Sequence, residues 1–188
     1  MFYICQRNYQ HIPYPTNVLH GGRVPEVKNV RSAGCGICSA CMAVDLLTDK
    51  TLSIEDCVKL ASESIANHSP GTDMDLLGPA VAEKFDLNYA PSNSIDEVKE
   101  TLQKGGKVIV RVKKGLFTSS GHFMLLISYD GEDICFLDPG GNYQKFYLPE
   151  NEGKVNADHY PFLYCKAELM HNETEVDYTK YYMFTRKK

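Results

Sequence analysis

Cys35 stands in the segment Ser32-Ala33-Gly34-Cys35-Gly36, directly ahead of a long apolar stretch. If that stretch is a helix, the thiol meets its free N–H groups and the positive end of its dipole, both of which favour the nucleophilic thiolate. The Cys35 N–H can also face the oxygen of a tetrahedral intermediate. Gly34 and Gly36 carry no side chain, and would let a substrate backbone come close. Against this stands the plainer reading of a small buried cysteine that only fills space. A histidine base decides between them. His122 lies in Thr118-Ser119-Ser120-Gly121-His122-Phe123, where a polar loop opens the most apolar strand of the chain. The other histidines, His11, His20, His68, His159 and His171, sit in polar stretches and read as surface residues. A base histidine needs an acceptor to fix its tautomer, and Asp138, in Leu137-Asp138-Pro139-Gly140-Gly141, ends the next strand.

Sheet register tests that pairing. A three-residue loop at 130–132 sets Tyr129 against Asp133 and Met124 against Asp138, leaving His122 and Asp138 as diagonal neighbours on one face. A two-residue loop without a bulge would separate them.

These residues need a scaffold. Residues 36–47 are apolar on almost every side and predict a central buried helix. Ser53 with Asp56, and Ser94 with Glu97, signal helix starts, while residues 73–85 place Met74, Leu77, Val81 and Phe85 along one helical face. Strands are expected at 3–5, 108–112, 122–129, 134–137 and 181–185. The unbroken run from Phe123 to Ile127 predicts a strand covered on both faces. Helices first and strands afterwards describe an α+β domain, the central helix packed on an antiparallel sheet. Nothing marks a boundary, so 1–188 reads as a single domain. Residues 142–178, polar and tyrosine-rich, read as an insertion.

Composition narrows the function classes. With 43% hydrophobic and 23% charged residues the chain is neither a disordered tail nor a membrane bundle. A net charge of −4 leaves no footprint for nucleic acid or anionic lipid beyond the basic end Arg186-Lys187-Lys188. No apolar window long enough for a membrane span occurs. Seven cysteines, an odd number, do not form a disulfide framework by themselves, and no signal-peptide stretch follows Met1, so a reducing, cytoplasmic setting is the expectation.

Taken together, Gly34-Cys35-Gly36 heading a helix, Ser120-Gly121-His122-Phe123 opening a strand and Leu137-Asp138-Pro139 closing the next resemble the C39-like branch of the papain-like cysteine peptidases. The resemblance covers nearly the whole chain. It implies a papain-like fold, Cys35 as nucleophile, His122 as general base and acid, and Asp138 as the residue orienting His122. It also implies a glutamine as second oxyanion donor. Gln6 fits the usual position at the end of the first strand, Gln10 is a reserve, and Asn29 occupies the place six residues before the nucleophile. Ile37-Cys38-Ser39 departs from the Pro-Thr-Ser of many relatives and would alter the pocket wall. The expected partner is a peptide or related amide, taken between the loop at 113–121, including Ser120 and Gly121, and the loop before Cys35. No metal or organic cofactor is implied. Relatives outside the cell make an extracellular setting the alternative should a leader have been removed.

Two rivals remain. Cys35, Cys38 and Cys41 have the Cys-x-x-Cys-x-x-Cys spacing of iron–sulfur ligands, but the segment is too apolar and helical to wrap a cluster, and Cys57, Cys135 and Cys165 lack a following proline. A catalytically silent binding module with the same fold would be marked by a missing nucleophile or base, and neither is missing.

Overall fold

A four-residue helix, α1 (Val30–Ala33), runs through Gly34 straight into α2 (Cys35–Leu47). In this computed structural model residues 3–16, 28–67, 70–175 and 177–187 are described. Ten of the thirteen residues of α2 are buried. A helix apolar all round has no favourable place at a surface, and each large side chain it buries contributes roughly 1.5–3 kcal/mol before entropy is counted.

The capping signals act as expected. Ser53 accepts the Asp56 N–H at the start of α3 (Ile54–Glu63), and Ser94 that of Glu97 at the start of α5 (Ile95–Gln103). Asp73 caps α4 (Met74–Phe85) through the Asp75 N–H.

Seven antiparallel strands form one sheet: β1 (Leu87–Ser92), β2 (Lys107–Val112), β3 (His122–Tyr129), β4 (Asp133–Leu137), β5 (Asn156–His159), β6 (Phe162–Lys166) and β7 (Tyr181–Arg186). Their order across the sheet is β1-β7-β2-β3-β4-β6-β5, which sets β3 at the centre. Helix α2 covers one face, where Ile37, Val44, Phe123, Leu125 and Leu137 share a core. Helices α5 and α6 (Ala167–Asn172) cover the other, over Val110, Met124, Leu126 and Phe136. The α+β architecture with a central helix on an antiparallel sheet is therefore observed. Among the described residues no helix is long and apolar enough to cross a membrane.

Three expectations are corrected. Residues 3–5 form no strand; they are extended chain ahead of a short 3-10 helix, Gln6–Asn8. Strand β1 interrupts the helices, so the order is not helices first and strands after. Residues 142–178 are no insertion, since they supply β5, β6 and α6, and β6 pairs with β4 inside the sheet. His20 and His68 fall outside the described residues. His11 and His159 are exposed as expected, whereas His171 is half-buried with its Nδ1 2.8 Å from the Tyr181 hydroxyl.

Candidate active site

The hairpin between β3 and β4 brings His122 to Asp138 by a different route from the one expected. Tyr129 opposes Ile134, not Asp133, with Gly131 and Glu132 at the tip. That register alone would turn the two residues to opposite faces. A bulge between Leu126 and Ser128 absorbs Ile127, after which Leu126 opposes Phe136 and Leu125 opposes Leu137. One extra residue in a strand shifts every later side chain by one face, so turn and bulge together restore the pairing of a three-residue loop.

As a result His122 Nε2 lies 2.7 Å from Asp138 Oδ1, and the same oxygen accepts the Gly140 N–H at 2.7 Å. Their side chains are 11% and 3% exposed, so water is largely kept from the pair. With Nε2 taken by Asp138, the second ring nitrogen is left for Cys35, whose thiol is hydrogen-bonded to the His122 side chain. The backbone N–H groups of Phe123 and Gly36 also point to this sulfur. Burial alone would raise the thiol pKa, but His122 and these N–H groups outweigh it and hold it below the ordinary thiol range. Burial would lower the pKa of His122, yet the Asp138 carboxylate lifts it well above the ordinary imidazole range. Asp138 stays below the usual carboxylate range because His122, the Lys145 ammonium and the Gly140 N–H offset its burial. These shifts all favour a thiolate–imidazolium pair with Asp138 as the carboxylate beside it.

Local packing explains the position of the thiol. A Cβ on Gly34 would lie 2.5 Å from the Val30 side chain and carbonyl oxygen, so glycine suits the tight link between α1 and α2 that sets Cys35 at the first position of α2. A Cβ on Gly36 would meet Thr72 at 2.8 Å. Protein atoms already fill the space beside both glycines, which corrects the expectation that they leave room for a substrate backbone. Ser120 and Gly121 do line open space: with Cys35, His122 and Arg111 they border a cavity of about 360 Å³. A second cavity, of about 530 Å³, lies on the Asp138 side of His122 and is bordered by residues of the loop at 114–119.

Gln6 reaches this region through a loop closed on itself, in which Tyr14 N–H bonds to Lys28 O and Val30 N–H to Ile12 O. Its backbone N–H donates to Pro139 O at 2.9 Å and its Nε2 to Arg31 O at 2.8 Å, so the residue ties the turn after β4 to α1. Gln10 is held by Arg31 Nη1 at 3.0 Å. The Asn29 side chain caps α1 by accepting the Ser32 N–H.

The profile of the Peptidase_C39 like family matches residues 9–157. The chain belongs to that family. A solved structure of a candidate C39-like peptidase from Bacillus anthracis superposes with a TM-score of 0.58 over 100% of this chain and 99% of that one, at 14% identity. No curated protein matches. Family and fold together are those of a cysteine peptidase.

In this C39-like chain the remaining cysteines are placed differently from Cys35, and Cys5 lies against Gly141. Cys38, Cys41, Cys57, Cys135 and Cys165 are buried, Cys5 is half-buried, and none forms a disulfide. Cys38 and Cys41 follow Cys35 along one helix instead of surrounding a point, and the described residues hold no group of three side chains fit to bind a metal.

Three residues around the site escaped sequence reasoning. The Tyr3 hydroxyl donates to the Asp138 carbonyl at 2.5 Å, Lys145 Nζ lies 4.0 Å from Asp138 Oδ2, and Arg111 borders the Cys35 cavity. Only Arg111 left a signal, as a charge inside the apolar strand Val108-Ile109-Val110-Arg111-Val112.

Proposed function

We propose that the protein is a thiol hydrolase that cleaves a peptide or related amide bond through Cys35, His122 and Asp138. The observation that carries this reading is the His122 ring held between the Asp138 carboxylate, 2.7 Å away, and the Cys35 thiol at the start of α2. The thiolate attacks the carbonyl carbon, and the carbonyl oxygen becomes an oxyanion facing the Cys35 N–H. Gln6 offers the second donor: one Nε2 hydrogen is engaged by Arg31 O, and the other remains. Imidazolium His122 gives its proton to the leaving nitrogen as the C–N bond breaks, leaving an S-acyl enzyme. Water, losing a proton to neutral His122, then attacks the thioester and releases the acid, and the thiol is regenerated. Asp138 keeps the ring in one tautomer and stabilises its charged form.

Incubation of the protein with a mixed-sequence peptide pool, followed by mass spectrometry, tests the reading. New termini are expected with the wild type, and loss of at least about 10⁴-fold in rate with Cys35→Ser. Equal cleavage by both proteins, or none by the wild type, contradicts it.

A further inference from the structure

The cavity beside Cys35 carries a cation that the hydrolytic step leaves unused. Arg111 pairs with Phe123 across β2 and β3, next to the pair formed by Val112 and His122. Its guanidinium lies 3.9 Å from the centroid of the Tyr178 ring and 5.9 Å from that of Phe123, and it is hydrogen-bonded to the Tyr182 hydroxyl. Aromatic faces and a phenol hold the group in place and leave its charge uncompensated. Tyr182 passes on to Asp75 Oδ2 at 3.4 Å, and Glu175 touches Arg111 through its backbone N–H. Among the described residues no carboxylate lies within ion-pair distance of Arg111.

An arginine inside an apolar strand costs desolvation and side-chain entropy, and no structural ion pair offsets that cost here. What remains is a planar fork of N–H donors, pre-ordered by stacking and turned to a cavity that also holds the nucleophile. That geometry suits bidentate binding of a carboxylate. The surrounding field agrees. Lys28 borders the same cavity, and no acid does among the described residues. Across His122 the larger cavity is bordered by Arg7, Lys114 and Lys145; among its described lining residues the carboxylate is Asp138, already bound by His122, and Glu173 behind the wall accepts the Leu116 N–H. A chain of net charge −4 thus presents its thiol in a basic cleft, which concentrates anionic ligands.

We propose that Arg111 binds a carboxylate of the substrate in the cavity it shares with Cys35, so that the substrates are peptides with Asp or Glu near the scissile bond. The proposal rests on the hydrolase reading, because the scissile bond is the one whose carbonyl Cys35 attacks.

Binding and turnover separate the two ideas. Fluorescein-labelled peptide pools of one mixed sequence, with Glu or Gln at a fixed position moved along the chain, are titrated by anisotropy into the Cys35→Ala protein at low salt. At one position or more the Glu pool should bind about tenfold tighter or better, as expected for a charge-assisted pair. In the Cys35→Ala, Arg111→Gln protein that ratio should fall to within about twofold. Because each ratio is taken within one protein, partial unfolding cancels. A ratio near one in Cys35→Ala, no binding of either pool, or a ratio that survives Arg111→Gln overturns the proposal. The wild type is then given both pools. Faster cleavage of the Glu pool supports both ideas, and equal cleavage sinks the Arg111 proposal alone. A binding preference without cleavage leaves Arg111 as a recognition residue and removes the hydrolase reading.

Discussion

Cys35 and Cys38 lie one turn apart on α2, and the same helix gives them opposite properties. Burial pushes the Cys38 thiol far above its ordinary range, with nothing charged and favourable beside it. Cys35 is drawn below that range by the His122 side chain and by the Phe123 and Gly36 N–H groups. The helix dipole reaches only the first turn, but the larger difference comes from β3, whose first two residues meet the sulfur at position 35 and not at position 38. The opposite shifts come from what a neighbouring strand delivers, since cysteine type and helix are common to both sites.

Removing the source of the difference should have the largest effect. Asp138→Asn keeps the shape but withdraws the charge that sustains imidazolium at His122. Turnover is expected to fall by about 10²–10⁴-fold. The pH at which Cys35 is half-alkylated should rise toward the ordinary thiol value of about 8.5, since a less charged His122 no longer lowers it. An unchanged alkylation profile would locate the difference in the helix alone. Gln6→Ala tests the oxyanion side. A loss of about 10²–10³-fold in kcat with KM little changed is expected, while an equal loss from Gln10→Ala and none from Gln6→Ala would reassign the donor. The smallest effect belongs to the deeper thiol. Cys38→Ala should cost about 1–2 kcal/mol in urea unfolding and leave the turnover of folded protein within about twofold. A large loss of activity there would erase the contrast between the two cysteines.

Much of this site was readable because each member is framed by its own neighbours: glycines and an apolar run around Cys35, a polar loop and an apolar strand around His122, a Pro-Gly turn after Asp138. The pairing of His122 with Asp138 is legible although the turn has two residues in place of three, since the bulge at Ile127 offsets the shorter loop. A bulge is set by local sheet geometry that hydrophobic pattern does not encode. Strand β1 was hidden because Asn88 and Pro91 break the strand signal, and its place at the sheet edge is what tolerates a proline. Strand β6, Phe162-Leu163-Tyr164-Cys165-Lys166, was masked by the polar residues around it. Tyr3 reaches Asp138 from the far end of the chain, and Lys145 from the segment after β4, and neither contact is marked by a spacing rule. The roles of Gly34 and Gly36 needed the position of Val30 and Thr72, which lie on other elements.

Of the seven thiols, Cys35 is the one expected to be activated by His122. Brief iodoacetamide treatment near pH 6, followed by peptide mapping, tests it directly. The downward shift of Cys35 and the upward shift of His122 favour the ion pair, whereas an ordinary thiol at that pH is almost wholly protonated. The expected result is modification of Cys35 well ahead of half-buried Cys5, and loss of that lead in His122→Ala. Labelling of Cys5 and Cys35 at similar rates, or a Cys35 lead that survives His122→Ala, would contradict the account.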